Sequence, residues 1–159
     1  MYPQNTARGY LLITSDKTDF TDNLVAAYDY LEQMLVMKTW YLYERTAHRT
    51  SMKRGDQVYF YLAGKKRGKG NVVAGAILGG DKKMMADAMD EYGYPIFRAI
   101  ELEGIRYLPT PILLRDVLDQ LSFGGRYQSA GKKWGAILMG GAKALTEADL
   151  ATLKRLGDG

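Results

Sequence analysis

The sequence predicts an α+β fold, a mixed or antiparallel β-barrel flanked by helices, in a single domain spanning residues 1–159. Three observations predict it. Short apolar, β-prone runs outnumber helical ones along the chain. The runs in its middle follow one another across Gly-rich turns, as hairpin strands do. The amphipathic helical stretches are few and spaced out, so they pack against a sheet rather than alternate with parallel strands. No 20–50-residue period and no linker divides the chain. At 159 residues it can bury a full core without disulfides or a structural metal.

The elements follow in order. Residues 9–15 (GYLLITS) form a buried strand, a short apolar run closed by Ser15 and the polar stretch SDKTD. A helix follows, with Asp22 as its N-cap and Leu24, Tyr28, Leu31 and Leu35 at helical spacing up to about Met37. Residues 39–44 are β-prone, 53–56 (KRGD) make a turn, and 57–62 (QVYFYL) make a strand. Residues 71–79 (NVVAGAILG) pair with that strand in a hairpin with a long basic tip. Residues 81–92 form a short helix or a loop, whose Met84, Met85 and Met89 are packing residues. Residues 94–107 are a strand, and 111–121 (PILLRDVLDQL) a helix with Pro near its start. After a Gly-rich loop (123–131), residues 134–139 (WGAILM) are the last strand. Residues 146–156 are the closing helix, with Thr146 as N-cap and Asp149 at the third helical position in a capping box.

Composition excludes several chemistries. There is no cysteine, so no disulfide framework, thiolate nucleophile or cysteine-ligated zinc. The apolar fraction is 47% and no run approaches the roughly 20 residues of a membrane span. The opening MYPQNTARGY has no apolar signal region, and a cytoplasmic, membrane-free protein is expected. His48 is the only histidine and has no Ser or Asp signature beside it, which makes it a surface residue. GKKRGKG (64–70) has the glycines of a phosphate loop but feeds a strand, where a P-loop feeds a helix. Asp87, Asp90 and Glu91 read as a solvated acidic face. No catalytic residue, metal ligand or cofactor is identified, so the chain is not expected to be an enzyme.

The net charge is +4, and its distribution says more than its sum. Lys65, Lys66, Arg67 and Lys69 gather at one hairpin tip, where they can neutralise phosphates. Strand parity puts Val58, Phe60 and Leu62 on one face and Tyr59 and Tyr61 on the other. Trp40 and Leu42 likewise oppose Tyr41 and Tyr43. Such tyrosines either cover a barrel, each keeping a hydroxyl near water, or stack on bases beside the basic tip.

Three stretches carry a family resemblance. MKRGDQVYFYLAG (52–64) resembles the EVE-domain signature in which a Gly-Asp turn leads into a strand ending in a Phe-Tyr pair. Trp40 stands where EVE domains carry a tryptophan after the first helix. KKWGAILMGGAKALTEADL (132–150) resembles the ending of the small, stand-alone prokaryotic EVE subgroup. EVE domains belong to the PUA-like superfamily, with the YTH and ASCH domains. The resemblance implies a PUA-like barrel that accepts a single, modified base, such as a 5-modified cytosine, in an aromatic pocket. It implies nucleic acid as partner, DNA in preference to RNA, with a fused or neighbouring nuclease as a second. Carried over by position, it makes Trp40, Ser15, Tyr61 and Trp134 pocket residues, with Tyr59 beside them, and leaves the basic tip to the phosphates. Where many members have an Arg-Asn pair and a His-Ser, this chain has Arg49–Thr50 and Leu62–Ala63. Two rival readings are a metal-dependent nuclease or nucleotide hydrolase built on carboxylates, and a protein-interaction domain that uses the tyrosine face.

Overall fold

A computed structural model describes residues 9–19, 21–65, 67–124 and 140–158. Six strands make one sheet: β1 (Gly9–Thr14), β4 (Thr39–Leu42), β5 (Gln57–Leu62), β6 (Asn71–Asp81), β7 (Arg98–Leu113) and β8 (Ala142–Leu145). Their spatial order is β4-β7-β6-β5-β1-β8. β1 runs parallel to β5, and the other neighbours are antiparallel. Two short strands, β2 (Lys17–Thr18) and β3 (Leu24–Val25), pair separately. The register of β6 against β7 slips at three places and that of β5 against β6 at one. Each irregularity adds local twist and bend, and the sheet curls into a half-barrel. The α+β, single-domain, barrel-like expectation is met at that level.

The strands buried on both faces are the continuous apolar ones. All six residues of β1 are buried, because each face of the sheet carries its own core. Tyr10, Leu12, Val58, Phe60 and Leu62 turn to the face covered by α1 (Ala27–Met37). Leu11, Ile13, Tyr59 and Tyr61 turn to the other, covered by a 3₁₀ helix (Leu114–Gln120) and by α2 (Glu147–Gly157). The parity expected for residues 58–62 is the parity observed.

Helix boundaries show which local rules operate. α2 starts as expected: the Thr146 side chain accepts from the Asp149 N–H, and the Asp149 carboxylate accepts from the Thr146 N–H. α1 does not. Asp22 is not its N-cap but sits at φ 63° in a tight turn, where Asp19 Oδ1 accepts from the N–H groups of Thr21 and Asn23. Leu24 belongs to β3. The first turn of α1 is satisfied from a distance, by Asp16 Oδ1 accepting from the Ala27 N–H at 2.8 Å.

The helix expected over 111–121 is also displaced. β7 continues through Pro111 to Leu113, and only Leu114–Gln120 is helical, as 3₁₀. β4 pairs only with the 98–101 part of β7, so the far half of β7 has an open edge where proline removes no ladder bond. Residues 82–97 form an irregular excursion pinned by the Met89–Pro95 bridge. Two of its methionines do not pack inward, Met85 being 78% and Met89 61% exposed, while Met84 is half-buried. The strand expected over 134–139 lies outside the described residues.

Candidate functional site

The end of β1, α1 and the segment after β4 converge on a cavity of about 170 Å³. A cavity of about 150 Å³ holds one benzene-sized ring, which sets the scale. Trp40 on β4 and Tyr30 on α1 supply its aromatic wall. Their rings meet edge to face at 6.1 Å, and Phe60 backs the indole at 5.1 Å. Ser15, the first residue past β1, stands exposed at the cavity. Thr14 lines it with a buried Oγ1 that has no hydrogen-bond partner among the described residues. Gly141 completes the wall, and its carbonyl accepts from the Ile13 N–H at 2.9 Å.

The polar side of the cavity is a cation held by tyrosines. Lys17 Nζ donates to Tyr43 Oη at 2.9 Å and lies 3.6 Å from Asp90 Oδ2. It sits 4.0, 4.1 and 5.1 Å from the ring centres of Tyr30, Tyr43 and Tyr94. Tyr43 Oη donates to Asp90 Oδ2 at 2.7 Å and shares a hydrogen bond with Tyr30 Oη at 2.6 Å. The other Asp90 oxygen accepts from the Tyr92 and Tyr94 N–H groups. Burial pushes the Lys17 pKa below its ordinary value, and Asp90 works against that shift. Burial pushes Tyr30 and Tyr43 well above the ordinary tyrosine range; the hydrogen bond with Tyr43 works against the shift at Tyr30, while the Tyr30 and Asp90 oxygens add to it at Tyr43. At neutral pH both phenols therefore keep their protons and Tyr43 can donate to Asp90.

The structure brings some of the expected site residues together and separates others. Trp40 and Ser15 line one cavity. Trp40 is also core, 4% exposed. Tyr59 and Tyr61 point away from that cavity, because parity turns them to the α2 face of the sheet. There Tyr59 Oη accepts from Arg106, which pairs with Asp158 at 3.0 Å. Tyr61 borders a different recess, of about 340 Å³, with Lys69 and Arg115. The basic tip divides accordingly. The Lys65 N–H donates to Asp16 Oδ2, one residue from Ser15. The Arg67 guanidinium lies 4.0 Å over the Tyr28 ring, and Lys69 belongs to the Tyr61 recess. Lys66 and Trp134 lie outside the described residues.

Asp90 corrects one expectation. Asp87 and Glu91 are exposed, but the Asp90 side chain is 1% exposed and anchors the cation. Its signal in the sequence was turn chemistry, an Asp accepting from backbone two and four residues on, in D-E-Y-G-Y. Lys17 and Tyr30 are the other residues missed, and Tyr43 was noted only as part of the tyrosine face. A second depression, also about 340 Å³, lies on the far side of Tyr41 among Lys82, Lys83 and the exposed methionines. Among the described residues no group of three His, Asp or Glu side chains is arranged to hold a metal ion. Nor is any described helix long and apolar enough to cross a membrane.

No family model matches the sequence, and no curated protein matches it. Two solved structures share the architecture. The X-ray structure of Atu2648 from Agrobacterium tumefaciens superposes with a TM-score of 0.54 at 13% identity, covering 94% of this chain and 93% of that one. The NMR structure of Rpa0253 from Rhodopseudomonas palustris gives 0.50 at 16% identity, covering 94% and 92%. Both are structural genomics targets, and at these identities the likeness concerns the fold.

Proposed function

We propose that the chain is a PUA-like, EVE-type module that binds nucleic acid and accepts one base, extruded from its strand and carrying a modification, in the cavity walled by Trp40 and Tyr30. The observation that carries this reading is the cavity itself. Its volume of about 170 Å³ suits one six-membered ring, and its walls combine aromatic faces with hydroxyls and a lysine. Stacking a base on an aromatic face contributes about 1–3 kcal/mol, comparable with the few kcal/mol that extrusion costs. Ser15 and Thr14 supply hydroxyls for the base edge, and Lys65 stands beside the Asp16 turn to meet the phosphates.

Ser15→Tyr tests this with little risk to the fold, because Ser15 is exposed and outside both cores. Anisotropy titrations at stated salt would compare oligonucleotides identical but for one modified or unmodified base. The wild type should prefer one modification, and Ser15→Tyr should remove that preference while the melting temperature stays unchanged. An unchanged preference in Ser15→Tyr would move the base site elsewhere. Equal binding of every oligonucleotide by the wild type would reduce the protein to a charge-driven binder.

A further inference from the structure

One wall of the cavity carries the chain's own cation. Three tyrosine rings around a nitrogen, at 4.0 to 5.1 Å, form the kind of aromatic cage that takes a methylated or quaternary ammonium ligand. Here Lys17 already fills it. A ligand entering the cavity therefore meets a positive charge rather than an empty cage. An ammonium has three donors. Among the described residues Lys17 uses one on Tyr43 Oη at 2.9 Å and directs another to Asp90 Oδ2 at 3.6 Å. Asp90 does not turn the site negative. It is not part of the cavity wall, and its oxygens accept from Tyr43 Oη and two backbone N–H groups. Lys17, 18% exposed, is the member of the pair that lines the cavity. Thr14 Oγ1, buried and without a partner among the described residues, adds a hydroxyl to the same wall.

We propose that Lys17 makes the cavity selective by charge: it accepts a six-membered ring that presents an anionic or strongly accepting oxygen, and it refuses a ring that carries positive charge. Asp90, Tyr43 and Tyr30 are positioning residues that hold the ammonium at the wall. This deepens the base-reading proposal and rests on it for the nature of the natural ligand. The charge preference belongs to the cavity, however, and can be read with free nucleosides.

The experiment uses three single-stranded oligonucleotides that differ at one base: cytosine, 5-carboxycytosine (anionic) and 3-methylcytosine (cationic). The two modified nucleosides are titrated alone in parallel, followed by NMR of the protein. The anionic ring should bind at least about tenfold more tightly than the cationic one. Lys17→Met should bring the two within about threefold, and Lys17→Arg should keep the order. Circular dichroism establishes that each variant is folded, and the wild-type order does not depend on any variant. If the nucleosides keep the order while no oligonucleotide binds, charge selectivity stands and the nucleic-acid reading falls. If the cationic ring binds as well as the anionic one, if neither nucleoside binds at millimolar concentration, or if folded Lys17→Met keeps the order, the inference is overturned.

Discussion

Replacing Asp90 by Ala removes the one carboxylate that ties residues 82–97 to the cavity. Three hydrogen bonds go with it, from Tyr43 Oη at 2.7 Å and from the Tyr92 and Tyr94 N–H groups at 2.9 Å each. The Lys17 partner at 3.6 Å goes too. The residual state is costly because Lys17 stays mostly buried against three rings with no carboxylate to offset its desolvation. Breaking a buried pair by removing one member costs about 3–5 kcal/mol, and the orphaned N–H groups stay nearer the low end of their penalty because water reaches this loop. The expected loss is therefore about 3–5 kcal/mol. For a domain of this size that lowers the melting temperature by roughly 6–20 °C. Asp90→Asn should lose less, since its amide oxygen can still accept from Tyr92 and Tyr94. Urea unfolding of Asp90→Ala, Lys17→Met and the double variant measures the coupling directly. Lys17→Met should be less costly in the Asp90→Ala background, by about 1–3 kcal/mol, because it removes an uncompensated ammonium. Additive losses, or an Asp90→Ala loss under about 1 kcal/mol, would refute the claim that Asp90 anchors the cation.

Other expectations follow from neighbouring contacts. Stability should fall as pH rises above 10. Tyr30 and Tyr43 are raised from 10.0 in the folded state, so above pH 10 the unfolded chain has released protons that the folded chain still holds. Each such tyrosine adds about 1.4 kcal/mol to the fall between pH 9 and 11, steepening toward about 1.4 kcal/mol per pH unit above that, and Tyr43→Phe should remove one such share in urea unfolding over pH 9–11. Gly64→Ala should destabilise by roughly 1–3 kcal/mol in the same assay, because an added Cβ would collide with Asp16 Oδ1 and lie 2.8 Å from the Ala27 Cβ. Lys65→Ala should weaken binding of all sequences alike and flatten the log-affinity against log-salt slope by roughly one unit. An unchanged slope would leave the tip a solvated hairpin end. Trp40→Ala should cost about 3–5 kcal/mol of stability, as for a core tryptophan, since the indole is 4% exposed and backed by Phe60.

What was legible in the sequence was what local rules decide. The buried run of β1, the alternation of β5, the β5–β6 hairpin and the capping box of α2 depend on period and cap chemistry within a few residues. What was not legible depends on distant partners. Asp16 caps α1 across 11 residues, so Asp22, the better local candidate, is left to its own turn. Pro111 reads as a helix start but tolerates a strand because β4 stops short of it. The site divides the same way. Trp40 and Ser15, which both line the cavity, were singled out through the family resemblance, which expects a tryptophan after the first helix and a serine after the first strand. Tyr59 and Tyr61 share their strand with residues of the cavity-side core, yet alternate to the opposite face. Lys17 and Asp90 are 73 residues apart in number, and nothing in either neighbourhood announces the other.

The basic tip and the cavity are joined through Asp16 rather than by proximity of charge alone. One carboxylate accepts from the first turn of α1 and from the Lys65 backbone, while its chain neighbours Ser15 and Lys17 line the cavity. Under the proposed function, a nucleic-acid strand held at Lys65 would bear on the same short turn that presents Ser15 and Lys17. Arg67 is turned aside onto Tyr28 and Lys69 onto the opposite recess. Of the described tip residues, Lys65 is thus the one positioned to act together with the cavity. Lys65→Ala alone should lower affinity for the preferred oligonucleotide, while Lys69→Ala should leave it nearly unchanged in titrations run side by side at the same salt. Equal effects would mean that the tip acts as a diffuse positive field with no geometric link to the site.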